Sequence, residues 1–566
     1  MARTARRRPT GPGSGQARIL RGTAVAAALL TAAACTSVTP AGNGSGAGAT
    51  GAASSVAPSG DTFGSPAATG AVRKGGTLTV GLSADPDLLD PTQSRSLYSR
   101  YVFTNICEKL YDLDQTTKVV PQLATALPTT SADGRTVTIK LRTGVRFADG
   151  TTMDSAAVKA SLQRDLTLPT SARKTELGPV TTIDTPDAST VVVHFSAPFA
   201  PFTAALADRA GMVLSPTALA KEGTKFASSP VCVGPFKFAA RVPSTSISVV
   251  RDPNYYDAGR VNLDRIDYRI ITDANIRDQN LQSGDVAVAD SVSSQDVDKL
   301  RAAKDIQLLS SDSLGWQALQ VNIGNTKGVG QPVGKVGTPL GSNPTVRRAL
   351  ELSIDRAGLV KTVFNGQAVP SCSPISSINQ FAPADLLPCT TYQPEQAKKL
   401  LADAGVATPV PFTLTVTNSP DSLRFAQALQ AMVKAGGFEM KIAPVEYTTL
   451  LDAEDTGNFQ TLALGWSGRV DPDANITQFF ASGGAQNTNG VSDKALDALL
   501  QRARTTTDPA TRKQLYGRAV TRLQQIDAAI FLYRGRNLTG IRTDKVVGIQ
   551  VYPDGVVRTA FAGLTK

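Results

Sequence analysis

"LRTGVRFADGTTMDSAAVKASLQR", residues 141–164, predicts a strand, a tight turn and a helix in immediate succession. Asp149-Gly150 is a typical hairpin dipeptide, because glycine readily adopts the positive φ that such turns need. Asp154 stands directly before helix-spaced apolar residues and is a suitable N-cap. Just upstream, Asp133-Gly134 predicts a turn that opens a hairpin before the strand TVTIKL. The segment therefore predicts mixed α/β structure.

The alternation of strand and helix patterns continues along the chain from Gly75. GTLTVGL, residues 76–82, and PFTLTV, residues 411–416, have strand character, whereas residues 345–364 and 493–504 carry apolar residues at helical spacing. The chain has 566 residues, more than one hydrophobic core usually organises. We therefore expect an α/β protein with two or three lobes.

Several motifs in this body resemble, in order, the extracytoplasmic solute-binding proteins of peptide and nickel ABC importers. Residues 141–164 resemble the family's most recognisable signature. The other motifs are GGTLTVGLSADPDLLDP (75–91), CVGPFKF (232–238), RDPNYYDAGRVNLDRIDYRII (251–271), VRRALELSIDRAGLV (346–360) and YQPEQAKKLLADAG (392–405). The similarity covers residues 75–566, so it extends far beyond a single motif.

The resemblance implies a periplasmic-binding-protein-like fold, in which two lobes joined by hinge segments enclose a ligand cleft. Lobe I would comprise residues 75–115, 234–315 and 530–566. An additional subdomain, residues 116–233, would be inserted in lobe I, and lobe II would span residues 316–529. The ligand would be a small solute, either a peptide or a carboxylate-bearing metabolite, and the closed protein would deliver it to a membrane permease driven by separate ATPase subunits. We expect a monomer.

The N-terminal region predicts export and anchoring. Residues 1–34 combine a basic start with the short apolar stretch TAVAAALLTAAA, which is typical of a signal peptide and too short to span a bilayer. Cys35 follows small residues, as in a lipobox, although Ala32 replaces the usual leucine. A plain cleavable signal is the alternative, and Sec and twin-arginine export both stay open. Residues 35–74 would then be a lipidated cysteine and flexible linker outside the membrane.

The charge of the chain does not indicate nucleic-acid binding. The formal charge is +11, but residues 1–34 contain six arginines and no acid, so 52 basic and 47 acidic residues remain after them. These residues form no basic blocks.

The sequence also argues against an enzyme. His194 is the only histidine, and its strand context predicts a structural role, so histidine metal clusters and most nucleophile–histidine pairs are excluded. Ser171 and Lys174 match an SxxK spacing without its companion motifs. We expect no catalytic residue, metal or cofactor. A secreted enzyme or a ligand sensor on the same fold is the alternative.

Five cysteines include Cys35, which leaves an even number for disulfides in an oxidising compartment. Cys372 and Cys389 flank a Pro-rich loop and are the favoured pair, with buried free thiols as the alternative. Cys107 and Cys232 would then pair by elimination.

The resemblance places ligand contacts in three segments. The matching residues are Arg95, Leu97 and Tyr98 after the LDP turn, Trp466, Ser467, Arg469 and Asp471 in GWSGRVDPDAN, and Tyr533 in FLYRGR. Ordinary packing is the alternative for Tyr98 and Tyr533, and we expect Trp316 to pack at a hinge.

Relatives commonly carry an aspartate where this chain has Arg469, which predicts that Arg469 holds a ligand carboxylate beside an apolar wall formed by Trp466. Asp471 would orient Arg469 or bind an amine. Alternatively, Arg469 and Asp471 neutralise each other on a turn shaped by Pro472.

Overall fold

The computed structural model of the protein describes residues 70–382 and 389–566. The predicted signal peptide, Cys35 and nearly all of the predicted linker lie outside the described residues.

The strands and helices alternate along the described chain. The strands are β1 (Val72–Arg73), β2 (Thr77–Leu82), β3 (Tyr111–Leu113), β4 (Val119–Pro121), β5 (Thr129–Thr130), β6 (Thr136–Lys140), β7 (Val180–Asp187), β8 (Thr190–Phe195), β9 (Phe236–Val242), β10 (Ser246–Arg251), β11 (Arg265–Ile270), β12 (Val288–Ala289), β13 (Ile306–Ser311), β14 (Trp316–Val321), β15 (Ala368–Pro370), β16 (Val410–Thr417), β17 (Phe438–Val445), β18 (Thr461–Trp466), β19 (Ala529–Gly535), β20 (Asn537–Arg542), β21 (Val546–Val547), β22 (Gln550–Val551), β23 (Val557–Arg558) and β24 (Gly563–Thr565). The α-helices are α1 (Leu97–Ile106), α2 (Ser155–Thr167), α3 (Phe202–Ala205), α4 (Pro216–Glu222), α5 (Ala274–Ser283), α6 (Val297–Arg301), α7 (Pro339–Ser342), α8 (Pro344–Leu352), α9 (Arg356–Phe364), α10 (Pro394–Asp403), α11 (Pro420–Ala435), α12 (Tyr447–Thr456), α13 (Asp473–Phe480), α14 (Lys494–Thr505) and α15 (Pro509–Ile526). Short 3₁₀ segments span Arg209–Gly211, Gly223–Ser228 and Ala258–Arg260.

Three larger sheets organise these elements. The first sheet has seven strands in the order β13-β20-β12-β2-β11-β10-β9, the second has six in the order β15-β19-β14-β18-β16-β17, and the third has four in the order β5-β6-β8-β7. Apolar residues of the first and third sheets belong to separate buried clusters, and two further clusters cover the two faces of the second sheet. The prediction of a mixed α/β protein is confirmed.

The signature segment of residues 141–164 folds as predicted. Gly134 and Gly150 have φ of 69° and 85°, so both Asp-Gly turns use the backbone region that glycine tolerates. The Asp154 side chain accepts a hydrogen bond of 3.0 Å from the Ala157 amide and caps α2.

A buried ion pair connects this segment to the LDP turn. Near the end of α2, Arg164 donates to both carboxylate oxygens of Asp90, at 2.9 and 2.5 Å. Asp90 is fully buried, and the bidentate geometry satisfies both of its oxygens. Two motifs that resemble the family are therefore held together by one charged contact.

Two short connections join the first and second sheets. The chain passes from β13 to β14 before Trp316, and it returns from β19 to β20 at Arg536. Strand β19 pairs with β14, so residues 530–535 lie in the second sheet and not in the first lobe, to which they were predicted to belong. The predicted boundary at residue 530 therefore shifts to the end of β19, because β19 is buried beside β14. The division into lobes otherwise stays a prediction.

Both predicted disulfides are present. Cys107 pairs with Cys232, with 4.9 Å between their Cα atoms, and Cys372 pairs with Cys389, with 5.3 Å between theirs. The alternative of buried free thiols for Cys372 and Cys389 is wrong.

Removal of the Cys372–Cys389 bridge should destabilise the protein. The bridge connects residues 17 positions apart. Because the cross-link restricts the unfolded chain, the double variant Cys372→Ser/Cys389→Ser should lose about 3 kcal/mol of unfolding free energy, measured by urea denaturation. The oxidised wild-type protein is the reference. Alkylation of both cysteines without reductant, or an unchanged unfolding midpoint, would contradict this role.

Candidate functional site

A cavity of about 430 Å³ lies between the first and second sheets. Strands β2 and β11 run parallel, and so do β16 and β17. The segments that follow these strands line the cavity from both sides, among them residues 83–85 and 417–419. Ligands of open α/β sheets bind beyond the carboxyl ends of the strands, so the geometry favours this cavity as the solute-binding site.

A larger groove of about 630 Å³ lies elsewhere, between the third sheet and α14. Its lining comes mainly from α2, β7 and the segment around Phe199, and only Gln501 and Arg504 reach it from α14. No strand end of the first or second sheet contributes. We therefore take the cavity between the two larger sheets as the candidate site.

Two tyrosines meet at this cavity. Tyr98 on α1 and Tyr447 on α12 both line it, and their rings make an edge contact with centroids 5.5 Å apart and planes at 88°. Burial raises the pKa of both phenols, so both keep their hydroxyl protons at neutral pH. Tyr98 was predicted to contact ligand, and Tyr447 was missed.

Carboxylates dominate the charged lining. Asp85 comes from the first-sheet side, and Asp421 and Glu446 come from the second-sheet side. Arg277 is the cation of the lining, but it donates to the carbonyl oxygens of Ile271 and Ser291 and lies 3.5 Å from Asp290. The cavity thus presents more negative than available positive charge.

Other charges restrain two of these carboxylates, and one remains open to a solute. Asp85 pairs with Arg241 at 3.0 Å, and Asp421 pairs with Arg424. Glu446 caps α12 through one oxygen, which accepts from the Thr448 amide at 2.7 Å. Glu446 is exposed, so its second oxygen can meet a solute.

Arg95 joins the two sides of the cleft. From the segment before α1, its guanidinium pairs with Glu454 at 2.8 Å and also with Asp455, both on α12. Burial lowers the pKa of Arg95, but the two carboxylates raise it more, so the group stays charged. Arg95 does not line the 430 Å³ cavity. Its contacts form an ion pair between the segment before α1 and α12.

Trp466 is a core residue and forms no open wall of the cavity. It is 6% exposed, and its ring packs against Phe479 with centroids 5.0 Å apart. Its indole donates to the Asn475 side chain at 3.1 Å, and the indole of Trp316 donates to the Asn475 carbonyl at 3.2 Å. Trp316 packs at the start of β14, next to the connection between sheets, as expected.

Arg469 and Asp471 have separate partners. Asp471 accepts from both terminal nitrogens of Arg512, at 2.9 and 3.0 Å, whereas Arg469 pairs with Asp208. The alternative in which Arg469 and Asp471 neutralise each other is therefore wrong. Burial, with the nearby Arg100, lowers the pKa of Arg469 to about 10. Neither Arg469 nor Asp471 lines the 430 Å³ cavity.

The remaining predicted contacts lie around the cleft. The Ser467 hydroxyl accepts from Arg100 at 3.4 Å and from Arg469 at 3.2 Å. Leu97 packs against the core of the first sheet. Tyr533 packs against Phe364, with ring centroids 4.4 Å apart. None of these three residues lines the cavity.

Comparison with known proteins identifies the family. The pattern of the bacterial extracellular solute-binding proteins, family 5 Middle, matches residues 118–488. The chain belongs to this family.

Relatives and solved structures agree with this assignment. The glutathione-binding protein GsiB of Shigella flexneri serotype 5b (strain 8401) is 28% identical over 495 residues, which is 84% of this chain and 92% of that protein. DppA from Helicobacter pylori, in complex with the peptide STSA, is 22% identical with a TM-score of 0.78, covering 87% of this chain and 99% of that one. AgaA from A. tumefaciens R10, in complex with agropinic acid, is 26% identical with a TM-score of 0.76, covering 87% and 98%.

The family assignment gives the general function of the protein. It is an extracytoplasmic binding protein that captures a solute for an ABC importer, and it is not an enzyme. The periplasmic-binding-protein-like fold is confirmed. Within residues 70–382 and 389–566, no helix has the length and apolar character to cross a membrane, and no group of three His, Cys, Asp or Glu side chains is placed to hold a metal.

Loss of the Arg95 contacts should favour the open protein. In Arg95→Met, the buried Glu454 loses its cationic partner when the lobes close, so solute affinity should fall roughly tenfold or more. Small-angle scattering of the solute-free variant should give a larger radius of gyration than that of the wild type. Arg522→Met removes an ion pair with Asp493, both outside the cleft lining, and serves as the control. Identical scattering and affinity for wild type and Arg95→Met would assign Arg95 to local structure.

Proposed function

We propose that the solute is a short peptide or a similar small molecule with an ammonium group, held in the cavity that Tyr98 and Tyr447 line. The exposed carboxylate of Glu446 in the cavity lining supports this proposal most strongly, and the arginine-paired carboxylates of Asp85 and Asp421 lie in the same lining. A volume of about 430 Å³ lies within the usual range for small-molecule sites.

The charge balance decides between an amine and a carboxylate as the recognised group. An ammonium near Glu446 and Asp421 gains charge-assisted hydrogen bonds. A carboxylate at the same place meets like charges, and Arg277 is already committed to backbone carbonyls and Asp290. Arg469 pairs with Asp208 and lies outside this cavity, so it does not offset the negative charge of the cavity lining. Glutathione and the peptide STSA, named for two relatives, both carry an ammonium group.

Amine recognition can be tested with a pool of dipeptides and the same dipeptides acetylated at the amino group. Native mass spectrometry of the full chain should detect bound dipeptides, and acetylation should abolish binding. Glu446→Gln and Asp421→Asn should each weaken binding roughly tenfold, because each removes one charge-assisted contact. Calorimetry with a bound dipeptide measures the effect.

Asp452→Asn is the matched control for these variants. Asp452 lies on α12, as does Tyr447, but it is exposed and outside the cavity lining. The Asp452→Asn variant should bind dipeptides as the wild type does. Equal binding of free and acetylated dipeptides would refute amine recognition.

We propose further that Cys35 carries a lipid that holds a monomeric protein at the outer face of the membrane, where it meets its permease. The basic start, the short apolar stretch and the small residues before Cys35 support this arrangement.

The anchor can be tested by fractionation. Wild-type protein should sediment with membranes, whereas Cys35→Ala should be released or remain unprocessed, because it lacks the thiol that receives the lipid. A wild-type protein that is soluble and begins at a residue other than Cys35 would refute lipidation.

A further inference from the structure

A cluster of buried guanidinium groups lies where α1, the inserted segment and the second sheet meet. It contains Arg100 on α1, Arg173 after α2, Arg209 in the 3₁₀ segment and Arg469 after β18. Arg173 is 0% exposed and Arg209 is 1% exposed, and Arg100 and Arg469 are also buried. Buried arginines ordinarily require a full set of partners.

The hydrogen bonds bring these guanidinium groups close together. The Ser94 carbonyl accepts from Arg173 at 3.2 Å and from Arg209 at 2.8 Å. One oxygen of Asp208 accepts from Arg100 at 3.1 Å, and the other pairs with Arg469. Arg173 and Arg209 therefore share one carbonyl oxygen, and Arg100 and Arg469 share one carboxylate.

The negative charge in contact with the cluster does not match the positive charge. Asp208 is one counterion, and Glu176, which accepts from Arg173 at 2.6 Å, is the other, so four cations face two carboxylates. Asp554 contacts Arg100 at 2.9 Å, but Arg558 already neutralises it. Burial raises the pKa of nearby Asp165 to about 8, so this acid is mostly protonated at neutral pH.

Several donors of the cluster have no acceptor. Among the described residues, nothing accepts from Arg173 Nε, Arg209 Nε, Arg209 Nη2 or Arg469 Nη2, and all four atoms are buried. Burial, with the neighbouring Arg173, lowers the pKa of Arg209 well below its usual value. A guanidinium does not release its proton in a protein, so the excess charge calls for an anion and not for neutralisation.

We propose that Arg173, Arg209 and Arg469 bind a small anion, either a free halide or a carboxylate of the bound solute. Their free nitrogens supply donors from both sides of the cleft. Because Arg469 belongs to the second-sheet side, the site is complete only when the protein is closed, and the anion stabilises closure. None of the three arginines lines the 430 Å³ cavity, so the site is distinct from the one proposed for the amine.

Halide ions are the probes for the first experiment. The full chain, purified without solute, is studied by chloride NMR in solution and by anomalous diffraction from crystals soaked in sodium bromide. The wild type should broaden the chloride signal, and bromide should lie within hydrogen-bonding distance of Arg209. Arg209→Met should weaken halide binding roughly tenfold or more. Arg522→Met, which lies outside the cluster, should leave halide binding unchanged.

Thermal unfolding gives a second readout for the same variants. At constant ionic strength, chloride should raise the melting temperature of the wild type but not that of Arg209→Met. Without halide, Arg209→Met should be at least as stable as the wild type, because it removes an uncompensated buried charge. An arginine with only a structural role would instead destabilise the protein equally with and without halide.

Crystals with bound solute distinguish the two sources of the anion. If a solute carboxylate occupies the site at the three arginines and displaces bromide, the anion comes from the solute. If bromide remains at the site when solute is bound, the anion is a free ion. The proposal is overturned if neither bromide nor a solute carboxylate contacts these arginines in the wild type and chloride broadening is the same in Arg209→Met. Because the halide tests use no amine, a negative result would not contradict the proposed peptide site.

Discussion

The pairing of charges that become buried between the two large sheets controls the closed structure. Arg95 meets Glu454 and Asp455 on one part of this interface, and Arg469 meets Asp208 on another. A charge that loses water without gaining a partner costs several kcal/mol. Closure is therefore favourable where these ions reach their counterions, and this requirement restricts how α1, α12 and the segment after β18 face one another.

The same sheet geometry explains why the site has its particular chemistry. Parallel strands end at one edge, so the segments after β2 and β16 face each other and supply polar side chains from both sides. Asp85, Asp421 and Glu446 make this cavity acidic, whereas Arg173 and Arg209 make the neighbouring cluster basic. The amino group of a peptide-like solute and a small anion would thus occupy separate positions, and both would stabilise closure.

Local patterns in the sequence predicted the fold well. The Asp-Gly turns and the Asp154 cap depend on neighbours within a few residues, so a short segment contains the information. The site depends on distant partners. Arg95 and Glu454 are 359 residues apart, and Tyr447 and Glu446 follow a strand without any distinctive motif. Arg469 was recognised as unusual, but only the tertiary structure could identify Asp208 as its partner.

A crystal structure of the protein with the solute that copurifies with it, or with a bound dipeptide, tests the central claim most directly. The account predicts solute density in the cavity beside Tyr98 and Tyr447, with its amino group near Glu446 or Asp421 and with the ion pair of Arg95 and Glu454 intact. Density in the groove beside Phe199 and Arg504, or a solute held by one sheet alone with the Arg95 pair broken, would contradict it.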